Sequence, residues 1–339
     1  MNWLGRQALV RPSAVAVRAP DRTLTYAELA AAAARGAGAL AAAGAGPGDR
    51  VAVRLPNRAD HAVAVHAVTW LGGVLVPVHL RLAPGEAAAL LAEAGTALLV
   101  ADAGDPLAAA ALPCPILDAG RLAEETPGAP SLVAPAPQPA DGPHSLLFTS
   151  GTTGRPRPVP LTHGNHLASA AASAFNLGLR PDDDWLCPLP LAHVGGLAVL
   201  LRSVLYGTAV TLLDGFDPAA VAERLRSGAV THASLVPTML RRLLEAVPGD
   251  GPLGSRRLRA VLLGGGPVEA DLVARALERG LPVLGTYGMT ETASQVATVP
   301  PEAAARKPGA AGPALPGAEV EVRTGTGEAA APGQTGEIH

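Results

Sequence analysis

The sequence predicts an α/β protein of two helix-flanked, mainly parallel sheet subdomains, with a small β-rich or barrel-like piece at the carboxyl-terminal end. Three observations carry that reading. Short β-branched runs alternate with Ala/Leu-rich segments of helical length, the pattern of βαβ units. A chain of 339 residues has room for about two units of roughly 150 residues each. Hydrophobic residues make up 48% and charged residues only 16%, so the chain packs a core rather than staying disordered.

The elements follow in order. "LTYAELAAAAARGAGALAAAG" reads as a helix, with Thr25 and Glu28 at capping-box spacing. The strand "RVAVRLPN", a helix over 59–71, the strand "GVLVPVH", a helix over 84–95 and the strand "ALLVAD" continue the alternation. The stretch 126–143 is Pro-rich and reads as a surface connection between a subdomain 1–140 and a subdomain 144–310. In the second subdomain "SLLFTS", "DWLCPLP", "TAVTLL", "THASLVP", "LRAVLLGG" and "LPVLGTYG" read as strands. Helices over 165–175, 195–206, 218–227, 238–246 and 268–279 separate them. Val/Glu alternation with Gly turns over 311–339 suggests the small β-rich piece.

Composition excludes several function classes. Aromatic residues are 3% of the chain, which removes the stacking platforms of nucleic-acid binders. A net charge of −3 with interspersed signs gives no polybasic face for nucleic acid or anionic membrane. Cys114 and Cys187 form neither a disulfide framework nor a CxxC pair, which fits a reducing cytoplasm. The start lacks the pattern of a signal peptide, and the most apolar window is interrupted by His61, His66, Gly72, Gly73 and Pro77, so no membrane insertion is expected.

Four stretches could carry chemistry. "FTSGTTGRPRPV" places Thr149, Ser150, Gly151, Thr152, Thr153 and Gly154 together, with Arg155 and Arg157 behind them. Glycines let backbone N–H groups converge and the hydroxyls add donors, which suits a polyphosphate; a polar turn with nothing bound is the bland alternative. No Walker A spacing is present. "LLGGGPV" runs a strand into Gly264, Gly265, Gly266 and Pro267, where a flat ligand can lie on the backbone, or where the chain simply turns tightly. In "LGTYGMTETASQ", Tyr287 can stack on a base, Thr290 can donate to a phosphate oxygen and Glu291 can hold Mg²⁺, although an exposed Glu is usually only solvated. In "CPLPLAHVGGL", His193 sits at a strand end, where it is either functional or a satisfied structural residue.

Together and in this order, these four motifs resemble the core motifs of the adenylate-forming superfamily of acyl-CoA synthetases, peptide-synthetase adenylation domains and luciferases. "DRTLTYAEL", "GDRVAVRLPN" and "RLAPGEAAALLAEAG" resemble that superfamily's amino-terminal segments, so the likeness covers essentially the whole chain. A finer likeness in "NWL", "HVGGLAVLLRSVLYG" and "TYGMTETASQVATVPPEAAARKPGAAGPALPG" is to its o-succinylbenzoate–CoA ligase branch, which belongs to menaquinone biosynthesis.

The resemblance implies ATP-dependent activation of a carboxylic acid as an acyl-adenylate, then transfer to CoA, with Mg²⁺ as metal. It assigns Thr149 through Gly154 to the β,γ-phosphates, and Gly264, Gly265, Gly266 and Pro267 to the adenine and acyl side. Thr286, Tyr287, Gly288 and Met289 flank the nucleotide, Thr290 touches the α-phosphate and Glu291 binds the metal. His193 lies beside the reacting carboxylate, and Arg157 joins the catalytic set. A second carboxylate needs a fixed donor, for which Arg202, Ser203, Ser234 and Thr238 are the candidates. Other aryl- or fatty-acyl-CoA ligases, or a non-catalytic nucleotide- or acyl-binding module, are the alternatives; a homodimer is a family-level expectation.

Two departures stand out. The superfamily loop usually reads Lys-Gly where this chain has Arg157-Pro158. Arg keeps the charge, whereas Pro removes an N–H and fixes φ, so different loop mobility is expected. The sequence also ends at "GQTGEIH", ahead of the superfamily's ribose-binding Asp, hinge and small carboxyl-terminal domain with its adenylation Lys. The expectation is of the large domain alone, with weak nucleotide binding, slowed adenylation and little thioester formation.

Overall fold

A computed structural model of the chain describes residues 1–123, 133–149, 156–249 and 251–339. Local signals place the helices. Thr25 caps the helix Tyr26–Ala42 in a capping box with Glu28, and Thr162 does the same for His163–Leu177 with Asn165 as the returning side chain. Pro opens the helices Pro84–Glu93, Pro218–Ser227 and Pro237–Ala246, where its missing N–H is not needed. The amino-terminal segment also forms a helix, Trp3–Val10, capped by the Asn2 side chain.

The strands form one six-stranded and one eight-stranded sheet, both mainly parallel, as the alternation predicts. In the smaller sheet Arg50–Arg54 lies between Val74–Pro77 and Leu98–Ala101. In the larger sheet Asp184–Cys187 lies between Ala209–Leu212 and His232–Leu235. Each of these inner strands is a switch point, because successive crossovers leave it in opposite directions, and such points open crevices at the carboxyl ends of strands. A short antiparallel pair, Val322–Arg323 with Glu337–Ile338, is the β structure of the terminal segment.

Sheet membership departs from the division expected at the Pro-rich segment. Strands Val15–Arg18 and Thr23–Thr25 pair onto the outer edge of the larger sheet, through Ala209–Leu212. Conversely, Pro143–Thr149 and Arg157–Thr162 complete the smaller sheet. One buried cluster accordingly runs from Leu4 through Leu75 and Leu147 to Leu284. The Tyr26 hydroxyl, fully buried, stands within hydrogen-bond reach of the Ser203 and Thr208 carbonyls, at 2.8 and 2.7 Å, and ties the two halves together. Residues 126–132 of the Pro-rich stretch lie outside the described residues, and its composition does not tell which sheet the next strand joins.

A strand not expected from the sequence, Arg157–Thr162, precedes the helix His163–Leu177 and pairs antiparallel with Pro143–Thr149. Thr149 pairs with Arg157 and Leu146 with Pro160, so residues 157–162 form an edge strand. Pro158 and Pro160 are two residues apart and turn the same way. On the outermost strand that side is open, so the absent N–H groups cost no ladder bonds.

Candidate active site between the two sheets

The carboxyl edges of both sheets face a cavity of about 700 Å³. The smaller sheet contributes Leu55–Asn57 and Val78–Arg81, and the larger contributes Pro188–Gly196, Ser234–Val236, Gly264, Gly265 and the Thr286–Gln295 region. The two switch points meet here. Asn57, buried beyond the end of Arg50–Arg54, donates its side-chain amide to the Leu189 carbonyl at 2.7 Å. Its carbonyl oxygen accepts from Leu191 N–H at 3.2 Å, so both ends of one side chain fix the segment leading to His193.

His193 is the N-cap of the helix Val194–Tyr206, with extended backbone and no capping bond from its ring. Its ring is left accessible at the cavity wall, and burial lowers its pKa below the ordinary histidine value. Gly196 lets the helix start there, since a Cβ would collide with the Pro190 carbonyl. On the next strand ends, Gly264 and Gly265 line the cavity, Gly265 with φ +75. A Cβ on Gly264 would run into Thr286, and one on Gly266 would meet only Pro237 at 3.9 Å. The backbone here is therefore bare enough for a flat ligand.

The segment Met289–Ser294 is tightly wound. Ala293 and Ser294 both have positive φ, 53 and 103, uncommon strain for residues with side chains. Thr292 Oγ1 accepts from Met289 N–H at 3.2 Å and lies 3.0 Å from the Ser294 carbonyl, bracing the turn. The turn presents Thr290 to the cavity and leaves Glu291 exposed. The edge strand Arg157–Thr162 packs beside it, so Thr149 and Arg157, paired at the foot of the hairpin, lie on the same side.

Of the expected residues, the cavity wall gathers His193, Arg202, Ser234, Gly264, Gly265, Thr286, Gly288, Met289 and Thr290. Gly266, Pro267, Tyr287 and Glu291 sit on the same strand ends but outside that wall. Ser150, Gly151, Thr152, Thr153 and Gly154 lie outside the described residues. Ser203 and Thr238 are not on the wall. The Ser203 hydroxyl faces inward within reach of the Val199 and Ala209 carbonyls, and Thr238 is exposed on its helix. Residues not singled out from the sequence also line the wall: Asn57, His61, His79 and Gln295. Burial holds His61 neutral, with a pKa of about 4.

At the deep end stands Arg202, 3% exposed. One terminal nitrogen donates to Ser169 Oγ at 3.1 Å, the guanidinium lies over the Trp185 ring, and Nε has no partner among the described residues. Among the described residues no carboxylate pairs with it, and burial pulls its pKa down. Beside it, Trp185 Nε1–H donates to Ser234 Oγ at 3.0 Å, which leaves the Ser234 hydroxyl proton free for another acceptor.

Among the described residues no group of three or more His, Cys, Asp or Glu could hold a metal ion. Bare glycine backbone and the carboxyl ends of two parallel sheets thus converge on one cavity. The chain belongs to the AMP-binding enzyme family, whose model matches residues 4–339.

Within that family it is 38% identical to the 2-succinylbenzoate–CoA ligase of Bacillus subtilis strain 168 over 337 residues, covering 99% of this chain and 68% of the relative. Structures of the o-succinylbenzoate CoA synthetase (MenE) of Bacillus subtilis superpose closely. The complex with the acyl-adenylate intermediate OSB-AMP gives a TM-score of 0.90 at 37% identity, covering 99% of this chain and 68% of that one. The complex with ATP and magnesium ion gives 0.90 at 37%, covering 99% and 70%. A double mutant bound with the product analogue OSB-NCoA gives 0.92 at 37%, covering 99% and 68%. The expected family and fold class are thereby borne out. No helix among the described residues is long and apolar enough to cross a membrane.

Proposed function

We propose that this chain adenylates 2-succinylbenzoate. The substrate carboxylate oxygen attacks the α-phosphorus of ATP, the bond to the bridging oxygen breaks, and pyrophosphate leaves with the electron pair. CoA is the proposed second acceptor: its thiolate sulfur bonds to the acyl carbon and AMP departs. Activation is needed because oxide is a poor leaving group from a carboxylate, whereas AMP is a good one. Catalysis of such a displacement rests on positioning and charge neutralisation. Mg²⁺, held through Glu291, would supply part of that neutralisation. In this reading Thr290 donates to the α-phosphate, and Gly264–Gly266 with Tyr287 and Gly288 hold the adenine. Residues Thr149 to Gly154 and Arg157 take the β,γ-phosphates, and His193 sits at the reacting carboxylate.

The observation that selects the acid is Arg202. A buried guanidinium without a carboxylate partner is costly, and it becomes satisfied when a ligand brings the anion. An aryl acid with a second carboxylate fits, with the free Ser234 hydroxyl as a further donor. The two buried, unpaired cysteines suit the cytoplasm.

Pyrophosphate release by the chain, measured with 2-succinylbenzoate, benzoate and decanoate, tests the assignment. 2-Succinylbenzoate is expected to exceed benzoate by at least about a hundredfold, since losing the second carboxylate strands a buried charge. Preference for benzoate or decanoate would move the assignment to an aryl- or fatty-acyl-CoA ligase. No release with any acid, by this chain or by a form extended with a carboxyl-terminal domain, would make the chain a binding module.

A further inference from the structure

The motif residues leave several polar groups on the cavity wall without a task, and His79 is one of them. His79 follows the strand Val74–Pro77, half-buried, with its ring centroid 4.9 Å from that of His193. Its Nδ1 accepts from Arg81 N–H at 3.0 Å, which leaves Nε2 carrying the proton of the neutral ring. Among the described residues the ring makes no other hydrogen bond.

The backbone bearing His79 is held more firmly than a surface turn requires. Arg54, 4% exposed, donates one terminal nitrogen to the His79 carbonyl at 2.5 Å and the other to the Leu80 carbonyl at 2.9 Å. Its Nε bonds both oxygens of Asp105, at 3.2 and 3.0 Å, and Asp105 is itself buried. A buried ion pair is thus aimed at two carbonyls of one turn, fixing the backbone of a histidine that lines the cavity. Burial and the neighbouring His193, Arg81 and Arg54 keep His79 neutral. Two neutral imidazoles this close can share one acceptor, whereas two imidazolium ions would repel.

We propose that His79 is a second acid-recognition residue: its Nε2–H donates to the reacting carboxylate of the acid substrate, opposite His193, with Arg54 and Asp105 as positioning residues. This rests on the adenylation reading. It adds a contact from the smaller sheet to a carboxylate otherwise held by the larger one.

The test compares the unsubstituted chain with His79→Ala and His79→Gln, the latter restoring an N–H donor. In His79→Ala the concentration of 2-succinylbenzoate at half-maximal pyrophosphate release should rise about tenfold or more, the value of a hydrogen bond to a charged group. That for ATP should change less than about twofold, and His79→Gln should recover most of the loss. In ¹H–¹⁵N histidine spectra of the unsubstituted chain, 2-succinylbenzoate should move the His79 Nε2 resonance, and AMP alone should not. Equal losses for acid and ATP, or an unmoved His79 resonance while pyrophosphate is released normally, would overturn the proposal and leave adenylation standing. If the unsubstituted chain releases no pyrophosphate and no acid moves the resonance, the adenylation reading falls and takes this proposal with it.

Discussion

Arg202 carries a consequence for stability as well as for binding. Its charge is buried against Trp185 and a serine hydroxyl, so without ligand it should destabilise the fold. Arg202→Met is therefore expected to leave urea stability equal to or about 1–3 kcal/mol above that of the unsubstituted chain. The same substitution should raise the half-saturating 2-succinylbenzoate concentration by about a hundredfold while sparing benzoate. A variant that loses stability and selectivity together would make Arg202 a structural residue instead. Sequence could flag Arg202 as a donor but could not separate it from Ser203. Consecutive residues on a helix point about 100° apart, so only one of the two can face the cavity. His79 was illegible for another reason: a single His in "VPVHLRL" matches no motif, and its role depends on Arg54 and His193, which only the fold brings near.

At the level of elements, helices were the legible part, because caps and Pro positions are local signals written where the helix begins. The edge strand Arg157–Thr162 was hidden by its own residues. Two prolines in six positions argue against a strand unless that strand is outermost, and edge status is settled by partners far away in sequence. The hairpin recasts the Arg157-Pro158 departure. Arg157 stands opposite Thr149 at the foot of the hairpin. Pro158 and Pro160 blunt the free edge. Replacing both with Thr should cost less than about 1 kcal/mol of stability, since no ladder bond is lost. The substitution should increase concentration-dependent self-association, measurable by sedimentation velocity; an unchanged sedimentation profile would remove this protective role.

Across the whole molecule, one core joins both sheets, and buried histidines set its response to acid. His61 and His66 are fully enclosed, and burial holds both neutral down to a pKa of about 4. Unfolding returns each to the ordinary value of about 6.5, so the unfolded chain binds more protons between those limits. Stability is complete above pH 6.5 as far as these groups are concerned. It falls on acidification toward pH 4 by about 1.4 kcal/mol per pH unit for each histidine. His66 has an unpartnered ring nitrogen, so His66→Leu removes no hydrogen bond there. In urea unfolding at pH 7 and pH 5, that variant should lose about 2 kcal/mol less than the unsubstituted chain. Equal losses would show that other groups govern the acid response. The division into two halves could not be read from composition, because strand pairing is a long-range property.

That exchange of strands also sets a timetable for synthesis. Val17 pairs with Val210, roughly 190 residues further along the chain. At about 5–20 residues per second, a ribosome holds the first strand without its partner for roughly 10–40 s. The helix Tyr26–Ala42 can pack on Ala59–Leu71 during that interval, since both lie early in the chain. The pair Val15–Arg18 and Thr23–Thr25 cannot dock until Ala209–Leu212 has emerged. Closure of the larger sheet is thus a late event in the life of each nascent chain, and its open edge is a natural place for a chaperone to wait.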